Sequence, residues 1–370
     1  MNDLFKMPNI KDDCNFWMVR TKSGWFYNEF IRDEFIAIGW NSIDKAAISN
    51  YGSSEELKQR IKRDYAEKRP GSALNKCRRF IYDVKENDIV MIVGQGKMTF
   101  AVVGKYFENN QFTLANELET NKKIETSNIT SEFTTCPYNK RRKIKVITEI
   151  EESKINPYLY KASAVNMHSL SSLNDYAERI LSACYDIYIW KNNISITFRV
   201  EKESSIDAFH LAEFINSTAK LVSNRKEYDI AIKTSLYSPG DIILQIFDFA
   251  KDNALLIAIA YFVIFGGKFK DCEFNSIFGL VKSIMNRKHN DRLKELEIEN
   301  QELQNQKLEQ EIIGQKIQNE TRKHDNQINL VSETLPDIYK TSQELKITPR
   351  DGNIISIEQF KSMLDGNADK

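Results

Sequence analysis

Cysteine, histidine, proline and glycine are all sparse in this 370-residue chain, at 5, 4, 7 and 14 residues. The cysteines (Cys14, Cys77, Cys136, Cys184, Cys272) form no CxxC pair and have no close histidine partner. That spacing excludes a zinc site built on short ligand loops and reads as reduced thiols rather than a disulfide framework. His168, His210, His289 and His324 lack an HxxxH or HxH neighbour, and none adjoins a nucleophile motif. Gly94-Gln-Gly-Lys lacks the spacing of a phosphate-cradling loop and reads as a hairpin turn. The Glu344-Leu-Lys346 triplet lies in a polar tail rather than on a strand, so no nuclease carboxylate cluster is visible. The sequence points away from catalysis and implies no cofactor.

Long apolar runs are also missing. The longest uncharged stretch of this kind, Ala254–Gly267, has fourteen residues, short of the roughly 20 that a membrane-spanning helix needs. It reads as a buried helix, with insertion into a membrane as the alternative. The amino-terminal residues carry no signal-like apolar segment, so the expected location is cytoplasmic. Nor does one charge sign dominate, with 52 Lys and Arg against 52 Asp and Glu. The balance hides a split: residues 11–150 hold 24 cations against 19 anions, a net of +5, and residues 151–370 compensate.

Apolar residues make up 41% of the chain, so most of it can bury a core, and its length suits two or three domains. Phe16-Trp-Met-Val-Arg and Phe35-Ile-Ala-Ile-Gly-Trp read as strands, and Asn28–Phe35 as a short amphipathic helix between them. Ser53-Ser-Glu-Glu-Leu opens a helix with Leu57, Ile61 and Tyr65 on one face. Pro70-Gly-Ser opens another, turning Leu74, Cys77, Phe80 and Ile81 inward and Lys76, Arg78 and Arg79 outward. Ile89–Val93 and Thr99–Val103 form a hairpin that closes a small barrel, and Lys143–Ile147 is a further strand after the basic run Lys140–Lys143.

A second module follows: a helix over Leu173–Tyr185, an alternating strand Ile194–Val200, and a helix Ile206–Leu221 with Phe209, Phe214 and Ile215 on its apolar side. A strand Tyr228–Leu236 completes it. Beyond Ser283, Leu293, Leu296 and Leu303 mark a heptad seam that Leu308, Ile312 and Ile317 resume out of phase. Self-association through residues 283–325 and a lone helix packed on its own protein are both open.

The best lead to function is aromatic. Trp17, Trp25 and Trp40 fall within 24 residues of a chain with four Trp. Flat rings stack on nucleobases, and Arg20 and Lys22 are close enough in sequence to neutralise phosphate. Trp17 and Trp40 also suit a small core, and Trp40, at the end of a continuous apolar strand, reads as core rather than pocket, whereas Trp25 follows Ser-Gly in a loop where exposure is expected. Basic runs at Lys58–Arg63, at Lys76, Arg78 and Arg79, and at Lys140–Lys143 share the net +5 region.

These segments, with Val84-Lys-Glu-Asn-Asp-Ile-Val-Met and Ala101-Val-Val-Gly-Lys-Tyr, resemble a PUA-like, EVE-related domain of the kind found at the amino terminus of Mrr-type restriction endonucleases. The resemblance covers about residues 12–110. It implies nucleic-acid binding with a modified or flipped base in an aromatic pocket near Trp17, Trp25 and Trp40, in a setting of bacterial defence against foreign DNA. Asn87 stands where the family has Gly, a substitution that a left-handed turn accepts. The nuclease domain of those fusions has no counterpart here.

The expected architecture is α+β. A PUA-like β-barrel domain occupies 12–150, a small α+β module 165–245, an apolar helical segment 250–282, a long charged helix 283–330 and a loosely ordered tail 331–370. The expected function is a DNA- or RNA-binding sensor joined to a homo-oligomerising module. The rivals are a membrane effector acting through 254–267 and a structural scaffold.

Overall fold

In the computed structural model, residues 8–50, 53–126, 134–200, 206–223, 230–234, 240–246, 285–286, 289–298 and 307–348 are described. The chain is mixed α+β and divides into two units: Lys11–Cys184, and Met1–Ile10 with Tyr185–Lys370. The boundary therefore falls at Cys184, not near 150–165. The reason is pairing. A short strand, Leu170–Ser172, lies antiparallel to Phe16–Arg20, and the Phe16 N–H donates to Asn174 Oδ1 at 2.8 Å.

Strands are numbered along the chain: β1 (Asn9–Ile10), β2 (Phe16–Arg20), β3 (Phe35–Ile38), β4 (Ile89–Gly94), β5 (Lys97–Glu108), β6 (Lys140–Glu151) and β7 (Leu170–Ser172). In the Lys11–Cys184 unit the sheet order is β3-β6-β5-β4-β2-β7. Only β2 and β4 pair in parallel; the other neighbours are antiparallel. The sheet curls as a half-barrel, but its end strands β3 and β7 do not pair with one another, so the expected barrel is open. Its core gathers Phe26, Phe30, Phe35, Ile36 and Phe80, all buried.

Several elements form where local chemistry places them. Ser53, extended at φ −128°, accepts from Glu56 N and starts the helix Ser54–Tyr65, which buries Leu57 and Ile61. Ser53→Ala is expected to cost about 1 kcal/mol, the usual worth of such a cap, read as a lower urea midpoint. The β4–β5 turn holds Gln95 and Gly96 at φ +53° and +70°, the paired left-handed geometry that matches strand twist. Asn87 adopts φ +73°. The helix Pro70–Arg78 continues into a π turn, Arg79–Asp83, and buries Leu74, Cys77, Phe80 and Ile81.

Elsewhere polarity misleads. The run Lys140–Arg142 is not a solvated face preceding β6 but the start of it, with the three cations at 0%, 7% and 5% exposure. Each donates to main-chain carbonyls: Lys140 to Trp40, Arg141 to Cys136 and Tyr138, and Arg142 to Phe80, Ile81 and Gly104. Charge-assisted bonds satisfy groups whose burial would otherwise be prohibitive.

In the second unit the strands are β8 (Ile187–Trp190), β9 (Asn193–Val200), β10 (Ile230–Thr234), β11 (Gly240–Ile246) and β12 (Ile347–Thr348). They assemble in the order β1-β8-β9-β11-β10, with β12 also on β9. Strand β9 is not half-buried as its alternation suggests: Ile194 to Phe198 are all buried. Helix Ala208–Ser223 buries Phe214, edge-on to Phe198 at 5.1 Å, but leaves Phe209 84% exposed, against the expected apolar side.

The helix Lys307–Glu344 packs along Ala208–Ser223. It runs through Pro336 rather than ending there, and buries Leu330, Val331, Leu335 and Ile338. Residues 331–348 are thus ordered helix and strand, not tail. Of the heptad seam, Leu296 is buried and Leu293 half-buried; Leu303 and the tail beyond Thr348 lie outside the described residues. So does the apolar segment Ala254–Gly267. Among the described residues, no helix is long and apolar enough to cross a membrane.

Candidate functional site

The sheet sorts the sequence-derived candidates into two groups. Through the ladder, β2 and β3 run in opposite directions. Residues just beyond the end of β2 therefore lie at one end of the sheet, and residues just beyond β3 at the other. Arg20, Lys22 and Trp25 fall in the first group. Arg20 spends its guanidinium on the Ser163 and Asn166 carbonyls that end the helix Pro157–Val165. Lys22 pairs with Glu125 at 3.5 Å. Trp25 is half-buried against the core rather than projecting from a loop. Nearby, Gln95 Nε2 donates to Gly24 O at 3.1 Å and closes the hairpin against this loop.

Trp17, Trp40, Lys76 and Arg79 form the second group. Trp17 is 4% exposed, and its indole N–H donates to Asp88 Oδ2 at 2.8 Å. Asp88 also accepts from the backbone of Asn15 and Lys85, so it fixes the Lys85–Asp88 turn and the Trp17 ring together. The Arg79 guanidinium lies 5.0 Å from the Trp17 ring centroid, on the π turn. Single π turns inside helices recur at functional sites. Arg78 instead donates to Ser54 Oγ at 3.0 Å, tying two helices together.

Trp40 is the unusual member. It is half-buried and has φ +63°, a region that bulky side chains avoid. Its N–H donates to Glu117 Oε1 at 2.6 Å, and its carbonyl accepts from Lys140 Nζ at 2.7 Å. Glu117, on the helix Leu114–Thr126, is 2% exposed. Its other oxygen accepts from Asn41 N and Tyr65 Oη, both at 2.8 Å. Burial and the nearby Glu117 charge hold the Tyr65 phenol far above its ordinary pKa, so it remains a donor.

The Lys76 ammonium sits 5.5 Å from the Trp40 ring centroid, within cation–π range. Burial lowers its pKa from the usual lysine value, counteracted by Glu67. Next to Trp40 in the chain, Asn41 accepts twice from Asn139, from its N at 2.9 Å and its Nδ2 at 3.3 Å, and donates its own Nδ2 to Pro137 O at 2.7 Å. Ser42 Oγ and Asn139 Oδ1 are buried and have no partner among the described residues. Among the described residues, no group of three His, Cys, Asp or Glu could hold a metal ion.

The arrangement presents one aromatic ring from a strained backbone, with a cation over its face and a second basic residue on the same helix. Residues 17–174 match a family model described as a domain of unknown function (DUF8426). No curated protein and no solved structure matches the chain. The DUF8426 match runs from Trp17 to Asn174, so it takes in β2 from its second residue through β7, with Trp17, Trp40, Lys76, Arg79 and Glu117. Sequence reasoning did not single out Glu117. It lies among polar residues, and its partners stand 52 to 77 positions away.

Proposed function

We propose that the Trp40 end of the half-barrel is a nucleic-acid reader, in which the indole stacks on an unpaired or flipped base while Lys76 and Arg79 neutralise phosphate. The observation that carries this reading is the conformation of Trp40. Trp40, like Trp25, packs partly against the core, but a strained, half-buried aromatic residue held by bonds to both its N–H and its carbonyl is also the pattern of a ligand clamp. The net charge of +5 over residues 11–150 and the PUA-like resemblance support a polyanionic ligand carrying bases. A defence role against foreign DNA belongs to the same reading, as does a second unit that relays or assembles.

The test is fluorescence anisotropy of the full chain with single-stranded and duplex DNA and RNA oligonucleotides over a salt series. Lys76→Gln with Arg79→Gln is expected to flatten log K against log salt by roughly 0.7 for each single-strand phosphate that is no longer neutralised. An unchanged slope would remove both residues from the phosphate-binding surface. Absence of binding at low salt would leave the PUA-like resemblance as one of shape only.

A further inference from the structure

We infer that Glu117 is the positioning residue of this site: its buried carboxylate, reaching in from the helix Leu114–Thr126, holds Trp40 in the ring-presenting conformation. The inference rests on the reading of Trp40 as the stacking platform, but the lock itself is a matter of donors and acceptors. Three groups converge on the two Glu117 oxygens: Trp40 N–H on Oε1, and Asn41 N–H and Tyr65 O–H on Oε2. Two of them are backbone amides, which can only donate. The Tyr65 oxygen is already engaged by Ser42 N–H at 3.0 Å. A carboxylate, which only accepts, satisfies all three; a carboxamide turns an N–H toward a donor whichever way it is placed.

The Gly39 position shows how closely the carboxylate fits. A Cβ built there would lie 2.6 Å from Glu117 Oε1 and 3.2 Å from Tyr138 Cε1. Gly39 precedes the ring it serves, so the glycine of the Ile38-Gly-Trp40 segment is the gap through which Glu117 reaches the Trp40 amide. The nearest obstacle a methyl group would meet, the Glu117 carboxylate, is the far end of a flexible side chain, while the Tyr138 ring need give by only a few tenths of an ångström. Gly39→Ala therefore displaces the carboxylate without deleting any hydrogen-bonding group.

The experiment is ¹⁹F NMR of the full chain labelled with 5-fluorotryptophan, the four tryptophan resonances being assigned by single Trp→Phe replacements. Glu117→Gln and Gly39→Ala are each expected to shift or broaden the Trp40 resonance while those of Trp25 and Trp190 stay in place. Both should weaken binding of a single-stranded oligonucleotide by about tenfold, within the range expected when a stacking platform is removed. General loosening of the Lys11–Cys184 unit would move the Trp17, Trp25 and Trp40 resonances together, with Trp190 of the other unit as the internal reference, and an unmoved Trp40 resonance in either folded variant would equally overturn the lock. Should Glu117→Gln fail to fold, Gly39→Ala carries the test alone. If the Trp40 resonance moves selectively but the unaltered chain binds no oligonucleotide, the lock stands and the stacking reading falls.

Discussion

Arg142→Met is expected to destabilise the Lys11–Cys184 unit by about 3 kcal/mol or more, since charge-assisted hydrogen bonds contribute roughly 1.5–3 kcal/mol each and a stranded buried carbonyl costs 1–3. Arg142 Nε donates to Phe80 O at 2.9 Å and Nη2 to Ile81 O at 3.0 Å, while Nη1 reaches Gly104 O at 3.3 Å. The first two acceptors are carbonyls of the π turn that ends the basic helix, where intrahelical donors run out. The guanidinium also lies 5.5 Å from the Tyr106 ring centroid and 5.9 Å from that of Phe80. Methionine keeps the stem and its packing but reaches none of these acceptors, so the substitution isolates the polar contribution. In a Trp190→Phe background the remaining indoles, Trp17, Trp25 and Trp40, all lie in this unit, and their emission reports its urea transition. A midpoint that does not fall would show that the carbonyls find other donors.

Trp40→Gly is expected to remove most of the oligonucleotide affinity while leaving stability nearly unchanged. Stacking on one aromatic side chain contributes about 1–3 kcal/mol per base, which corresponds to roughly 5- to 150-fold in Kd. At φ +63° glycine is at ease where tryptophan is strained. Relief on the order of 1 kcal/mol offsets part of the packing that a half-buried ring supplies. The pairing of a large binding loss with a small stability change distinguishes a platform from a core residue, whose removal gives the reverse. Anisotropy titration and thermal unfolding of the same preparation decide it. Unchanged affinity would exclude Trp40 from the interface.

Local chemistry was legible in the sequence wherever a few adjacent residues decide the outcome. Ser53 caps its helix, Leu57 and Ile61 mark its inner face, and Asn87 takes the left-handed turn. What could not be read depends on distant partners. Lys140, Arg141 and Arg142 look like a solvated run because polarity reports an average environment. Their burial is made possible by carbonyls from positions as far off as 40 and 80. Pro336 signals a helix stop, but packing of Leu335 and Ile338 overrides it. For the candidate site the residue types were within reach, but the pairing of Trp40 with Lys76, apart from Arg20, Lys22 and Trp25, was not. Nor was the lock, because no periodicity connects Glu117 to Gly39, Trp40 and Tyr65.

Pairing of β2 with β7 bears on how the chain is made. While the polypeptide leaves the ribosome, the outer edge of β2 stays bare until Leu170–Ser172 emerges, and Phe16 waits for Asn174, 158 positions later. A nascent chain with an open, apolar strand edge of this kind is a template for unwanted β pairing. A fragment cut at residue 150 would carry that edge permanently, along with an Arg20 deprived of its Ser163 and Asn166 acceptors. The smallest separable piece of this protein is therefore set by β7, the last strand of its first sheet, just before the family-model match ends at Asn174.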